Sequence, residues 1–512
     1  MIQYLLSAAP LLGLAAAANY SFPAVKNISQ ADIYQGNGPL PCEALIAAGL
    51  RDRVLLPADT GYEPQVLSWW AWNSRQHPYC LVLPQNTQEV SLALTTLVHA
   101  GKGAGDWHIA VRSGGHSTIN SNNIVNGVTI DLSHMNSSSY DESTNTARVQ
   151  PGGRWQNVYA DLQERNITVA GGRDGDVGVG GFTLGGGNSF YSGRHSFACD
   201  TVNNFEVVLG NGTVVNANNK TNSDLYKALK GGTSNFGIVT RFDFNAIPSL
   251  PLFHETRVMS ANYTNIVLDA IVDYANHNES VGENALVGYI SHDKVTTIDT
   301  LYANTAGVVN SGTSYDKIRK LPAYVNKGGV DNMAAAAKAS QFAGESWNAG
   351  ATVTFRNNPT ILRYVNKLHD EYVKALQKSI GPDNFSTAIF LQPVPSYYAK
   401  ISKAHGGSMM PLEKLGGNAV MWTGGVAVKT TTGALAFAKA GMHQMAAKLT
   451  EFAKTVDGHV DMIYLNYADA TQDPLGSYGA DRVEFMRKVA AKYDPAGVFQ
   501  SRVPGGFKVN RV

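Results

Sequence analysis

The stretch Arg112-Ser113-Gly114-Gly115-His116-Ser117 constrains this chain more than any other. It follows an apolar run, Trp107-His108-Ile109-Ala110-Val111, that reads as a strand. A strand ending in two glycines can bring bare backbone against a bulky ligand and take positive φ without a Cβ clash. Consecutive N–H groups in such a loop form a nest for an anion, and Arg112, Ser113 and Ser117 add donors. His116 is then placed to act on the ligand that the nest holds.

A second glycine-rich stretch runs from Gly171 to Gly187. A dinucleotide fingerprint of the form G-x-G-x-x-G would need glycine at 183 after Gly178 and Gly180, and Thr183 stands there. The phosphate-loop pattern G-x-x-x-x-G-K-[ST], the zinc helix H-E-x-x-H and a G-x-S-x-G elbow in a strand–turn–helix setting are all missing. The 13 histidines are scattered and suggest no metal site; His134, His195 and His405 read as surface or structural residues.

A chain of 512 residues exceeds what one core holds, so two domains are expected. Lysine and arginine number 41 against 40 acidic residues, which leaves no basic surplus for nucleic acid or anionic lipid. Residues 4–18 form a short apolar run ending in Ala16-Ala17-Ala18, read as a signal peptide over 1–18 although no Lys or Arg precedes the run. Nine N-x-[ST] sequons (Asn19, Asn27, Asn136, Asn166, Asn211, Asn219, Asn262, Asn278 and Asn384) fit a secreted, N-glycosylated protein. In an oxidising compartment, the three cysteines allow one disulfide. Cys42 and Cys80, both in the N-terminal segment, are the expected pair, with Cys199 left as a buried thiol.

Asn86 and Glu89 are spaced as a capping box, so a helix should follow with Val90, Leu94, Leu97 and Val98 on one face. Asn211-Gly212 marks a hairpin. Beyond about residue 248 glycine clusters thin out and longer helices begin, notably Ile361–Gln377 and Leu435–Lys454. A domain boundary is placed there, with the C-terminal segment returning to the first domain.

Four ordered stretches together resemble the berberine bridge enzyme-like FAD-linked oxidases, of the vanillyl-alcohol oxidase / p-cresol methylhydroxylase (PCMH-type) superfamily. They are Arg112–Ser117; Val177-Gly178-Val179-Gly180-Gly181 with Gly185-Gly186-Gly187; Gly231-Gly232-Thr233-Ser234-Asn235-Phe236-Gly237-Ile238-Val239; and Tyr464-Leu465-Asn466-Tyr467-Ala468-Asp469 with Tyr493-Asp494-Pro495. The resemblance implies an α+β fold. An FAD domain in two parts (19–248, core about 75–248, and 458–512) would flank a substrate domain (249–457) of antiparallel sheet covered by helices. It implies that His116 bonds to the flavin 8α-methyl carbon and that Arg112, Ser113, Gly114, Gly115 and Ser117 surround the pyrophosphate. Asp174, Val177, Gly178, Gly181, Gly187, Val239 and Asn466 complete the cofactor contacts. Many relatives carry a second link from cysteine to flavin C6; Asp174 stands at that position, so a single link through His116 is expected, and Asp174 is either a carboxylate near the ring that disfavours an anionic reduced flavin or a solvated loop carboxylate. Val177 matches the residue that gates oxygen and has the small form found in oxidases. Tyr464 matches the catalytic base, and Asn466 a residue at the ring edge. The implied activity is that of an oxidase that passes a substrate hydride to FAD and electrons to O2, giving H2O2; the signal peptide and sequons add secretion, and a monomer is expected. Its substrate is expected to be an alcohol, carbohydrate or small metabolite. A dehydrogenase with another acceptor, and a flavin protein without redox turnover, remain open on these residues.

Overall fold

The computed structural model describes residues 39–100, 107–276, 282–309 and 315–512. The expected signal peptide and the sequons at Asn19, Asn27 and Asn278 lie outside the described residues. The first sheet contains β1 (Val54–Leu55), β2 (Cys80–Val82), β3 (His108–Arg112) and β4 (Gly127–Asp131) in the order β1-β2-β4-β3. β2, β4 and β3 are parallel, so the chain must cross over between β2 and β3. The helix Thr87–Ala100 makes that crossing. Asn86 caps it as its spacing predicts: its Oδ1 accepts from the Glu89 N–H at 2.9 Å, while Glu89 reaches back one residue further, to the Gln85 N–H. The disulfide Cys42–Cys80 ties the N-terminal segment to β2, and Cys199 is a buried free thiol.

The chain continues through β5 (Ser138–Asp141), β6 (Thr146–Val149), β7 (Ile167–Thr168), β8 (Val202–Val208), β9 (Val214–Asn218), β10 (Ile238–Asn245) and β11 (Ile247–Pro248). β7 pairs with β11; the others form an antiparallel sheet, β5-β6-β10-β8-β9. The Asn211-Gly212 turn joins β8 to β9 with Gly212 at φ +84°.

The third sheet is antiparallel and seven-stranded. Its strands are β12 (Leu252–Ser260), β13 (Asn284–Asp293), β14 (Val295–Asn304), β15 (Val325–Asp331), β16 (Trp347–Arg356), β17 (Phe385–Val394) and β18 (Ala419–Val428), in the order β15-β12-β14-β13-β17-β18-β16. Alternation along each strand divides the side chains between two cores. Leu286 and Ile290 of β13, with Ile389 and Leu391 of β17, face the helices Thr264–Ala275, Pro359–Ile380 and Thr432–Thr455. Val287 and Tyr289 of β13, with Val394 of β17, join the core of the second sheet, with Phe390 packed against it. That face closes over the glycine-rich loops.

After the helix Thr432–Thr455 the chain returns to the first half. Val460, Met462, Tyr464, Tyr478, Met486 and Tyr493 enter the core of the second sheet, and Val498, Phe499 and Val503 that of the first. The fold is thus α+β, with its two packed halves meeting at the loops that the sequence singles out.

Candidate active site

Arg112 closes β3 and turns inward, not toward a ligand. Its guanidinium pairs with Asp131 at 2.8 Å, donates to the Ser68 carbonyl at 3.0 Å and lies over the Trp69 ring, 3.5 Å from its centroid. Both charged side chains are about fully buried, so Arg112 is the floor of the loop. Above it the chain crosses the second glycine stretch. A Cβ on Gly114 would sit 2.5 Å from the Gly178 nitrogen, so only glycine permits this approach. Ser113 Oγ fixes the crossing by donating to the Pro151 carbonyl and accepting from the Gly180 N–H. Ser117 accepts from the Ser121 hydroxyl at 2.9 Å.

His116 projects from this loop and stacks on Trp70, centroids 4.4 Å apart. Its Nε2 is shielded from solvent and has no hydrogen-bond partner. Burial, reinforced by the charge of Arg154, lowers its pKa to about 3. The imidazole is therefore neutral at any working pH, with a lone pair free for bonding.

The glycine stretch runs alongside. Gly171 and Gly172 lie flat on the Trp155 ring. Val177 is half-buried and Gly178 caps the short helix Val179–Leu184. Gly181 is exposed, and a Cβ there would meet open space. Gly187 is a packing glycine instead: it presses on Phe182 and Ala198 at φ +88°. Val239 is buried within β10.

Asp174 is neither a free loop carboxylate nor aimed at open space. Its Oδ1 accepts from the Asp176 N–H at 2.8 Å and its Oδ2 from the Phe342 N–H at 3.0 Å, while burial raises its pKa. The Phe342 carbonyl accepts from Trp70 Nε1, so the Phe342 backbone is held at both ends beside His116. Asp174→Ala is expected to free that N–H and cost about 1.5–3 kcal/mol, the value of a hydrogen bond to a charged acceptor. A thermal melt reads the loss, and an unchanged midpoint would show that the Phe342 segment is held elsewhere.

The C-terminal return supplies Tyr464, Asn466 and Tyr467 from a single 3₁₀ turn, Leu465–Tyr467, rather than from a strand. The Tyr464 hydroxyl is buried and accepts from the Gly187 N–H at 2.9 Å and from Asn466 Nδ2 at 3.2 Å; burial pushes its pKa well up. Asn466 Nδ2 also donates to the Phe182 carbonyl. These two residues therefore anchor the turn. Tyr467, half-buried, is the phenol with a cationic neighbour. Its hydroxyl accepts from Arg173 at 3.3 Å and donates to Gln392 Oε1 at 3.2 Å; Arg173 and Asn188 donate to the same oxygen. Sequence reasoning missed Arg173, Gln392 and the role of Tyr467. Arg173 was open to notice as the one cation between Gly171 and Gly187; Gln392, on a strand of the third sheet, carries no such signal.

An unpartnered buried imidazole nitrogen, a glycine-only backbone crossing and open space at Gly181 fit a large group held against His116. Among the described residues, no cluster of His, Cys, Asp or Glu is arranged to hold a metal ion, and no helix is long and apolar enough to cross a membrane.

Residues 78–218 match the family model of the FAD binding domain. The chain is 32% identical over 479 residues to the FAD-dependent monooxygenase drtC of Aspergillus calidoustus, covering 92% of this chain and 90% of that protein. It is 33% identical over 481 residues to the FAD-dependent monooxygenase sdcF of Emericella nidulans, covering 92% and 98%. Among solved structures it is similar to glucooligosaccharide oxidase from Acremonium strictum (TM-score 0.72, 19% identity, covering 91% of this chain and 98% of that one). It is also similar to 6-hydroxy-D-nicotine oxidase from Arthrobacter nicotinovorans (TM-score 0.70, 17% identity, covering 87% and 96%). At those identities the structural likeness establishes the fold.

Proposed function

The chain belongs to the berberine bridge enzyme-like, PCMH-type FAD-linked oxidoreductases, and on that premise we propose that it is a secreted, monomeric oxidase with FAD attached to His116 alone. The observation that carries this reading is the His116 imidazole, which is neutral, stacked on Trp70 and unpartnered at Nε2. FAD bound at this loop would supply two-electron redox chemistry, with O2 as the acceptor that leaves as H2O2. Gly181 leaves open space for the cofactor, while Gly114 and Gly178 permit the backbone crossing that Ser113 holds.

Tyr467, rather than Tyr464, takes the substrate proton in this proposal. A general base must hold its proton-accepting atom toward the reacting group and needs a neighbour that favours its charged form. Tyr467 Oη has the Arg173 guanidinium at 3.3 Å, whereas the buried Tyr464 Oη is occupied by two anchoring donors. Tyr467→Phe is expected to lower the rate of substrate oxidation by about 10²–10⁴, the usual share of a general base. Stopped-flow bleaching of the flavin with a substrate found by peroxide screening measures it, and a loss under threefold would remove Tyr467 from the mechanism.

Secretion is supported by the Cys42–Cys80 disulfide and by exposed sequons at Asn136, Asn166, Asn211, Asn219 and Asn262. The oxidase assignment is tested by oxygen consumption with stoichiometric H2O2; turnover only with an artificial acceptor would make the protein a dehydrogenase. The relatives' names favour a second reading, monooxygenation, and transfer of label from ¹⁸O₂ into the product would decide for it.

A further inference from the structure

Arg173 is a cation without a counter-ion. It projects from the glycine-rich loop toward the third sheet, where its guanidinium meets the neutral groups Gln392 Oε1 and Tyr467 Oη. Among the described residues no carboxylate lies within ion-pair distance of it, whereas three other arginines of the same domain have one: Arg112 with Asp131, Arg154 with Asp176, Arg241 with Glu206 and Asp243. A half-buried guanidinium held by neutral acceptors keeps a charge for something that arrives later.

What lies beside it is aromatic. Phe390 stands two residues before Gln392 on the same face of β17, and Tyr289 of β13 is its cross-strand partner. The Tyr289 ring meets Phe390 edge-on at 4.9 Å, and Phe342 lies 5.3 Å from Phe390 and 6.1 Å from Tyr289. Phe342 is 44% exposed, a large apolar surface left open at the mouth of this cluster. Of the two carboxyls near the cluster, Asp174 accepts from two backbone N–H groups, and Asp299, opposite Tyr289 in the sheet, has its pKa raised by burial. These rings offer area and edges, and Arg173 a planar fork for an oxyanion.

We propose that Arg173 and the Tyr289–Phe390–Phe342 cluster form a recognition site for a planar aromatic substrate carrying an anionic oxygen, a carboxylate or phenolate. Arg173 grips the oxyanion, the rings cover the plane, and Tyr467 stands at the same guanidinium to accept the proton. This inference deepens the oxidase reading and rests on it.

The test is calorimetric binding to the flavin-loaded protein, which does not depend on turnover. The probes are 6-hydroxy-2-naphthoate, its methyl ester, 2-methoxynaphthalene and cellobiose. The naphthoate is expected to bind at least about tenfold more tightly than 2-methoxynaphthalene, with Arg173→Gln removing that margin and leaving the neutral probe within twofold. A gain kept by the methyl ester at pH values that ionise its phenol assigns the anion to phenolate; a gain lost in the ester assigns it to carboxylate. Arg173→Lys keeps the charge without the fork and should retain part of the preference, which guards against a Gln variant that fails to fold. Equal affinity for charged and neutral naphthalenes in the wild type, no binding of either, or preferential binding of cellobiose overturns the inference. If the purified protein is colourless the oxidase reading fails; if it is yellow and makes peroxide but shows no such preference, only the inference fails.

Discussion

Purified His116→Ala is expected to release all of its FAD into the supernatant on acid precipitation, while the wild type keeps its colour in the pellet. Three features of the site converge on this outcome. The ring is fixed by stacking on Trp70, so its nitrogens face a constant direction. It is neutral down to about pH 3, so a lone pair is always available. Its Nε2 has no internal partner to give up. A second, cysteinyl attachment is not expected: the free thiol, Cys199, is buried with its pKa raised well above normal, which keeps it inert. The native variant should still bind FAD, because the Gly114–Gly178 crossing and the Ser113 hydrogen bonds do not involve His116. Colour in the wild-type supernatant would refute the covalent link, and colour retained in the variant's pellet would show a second one.

Which parts of this were legible in the sequence follows from what each residue must do locally. The Arg112–Ser117 loop announces itself because close backbone approach demands glycine and cannot be met by other residues. The Asn86 cap and the Asn211-Gly212 turn are legible for the same reason: each satisfies a local geometric need. The alternation of Val287 and Tyr289 with Leu286 and Ile290 records that the third sheet has two covered faces. The site's polar network was not legible, since Arg173, Gln392 and Tyr467 come from three distant segments that only the fold brings together. Tyr464 and Tyr467 look equivalent in sequence, three residues apart on one short segment. The 3₁₀ turn separates them, sending one hydroxyl into the Gly187 loop and the other toward Arg173. Arg112 shows the converse: its position beside the glycines suggests a ligand contact, and the structure spends its charge on Asp131.

That internal pair carries the second large effect. Asp131→Ala is expected to cost about 3–5 kcal/mol, because it leaves the Arg112 charge buried without compensation. Asp131 is also tied by Gln65 Nε2 at 2.8 Å and by the Ser133 N–H at 3.0 Å, so its loss undoes a junction as well as an ion pair. With a shift of roughly 2–4 °C per kcal/mol in domains of this size, the unfolding midpoint should fall by about 10 °C. The loop bearing His116 rests on Arg112, since a Cβ on Gly115 would lie 2.8 Å from the Arg112 Nε; the ratio of flavin to protein absorbance should therefore fall in the same variant. Replacing both partners, Arg112→Leu with Asp131→Leu, removes the stranded charge and should recover part of the midpoint, as apolar pairs can replace buried ion pairs at little cost. The double variant should nonetheless stay poor in flavin, because leucine over Trp69 cannot reproduce the guanidinium that lies on the ring and reaches the Ser68 carbonyl. A midpoint for Asp131→Ala within about 2 °C of wild type, roughly 1 kcal/mol on this scale, would mean that water reaches Arg112 and that the pair is not the floor of the loop.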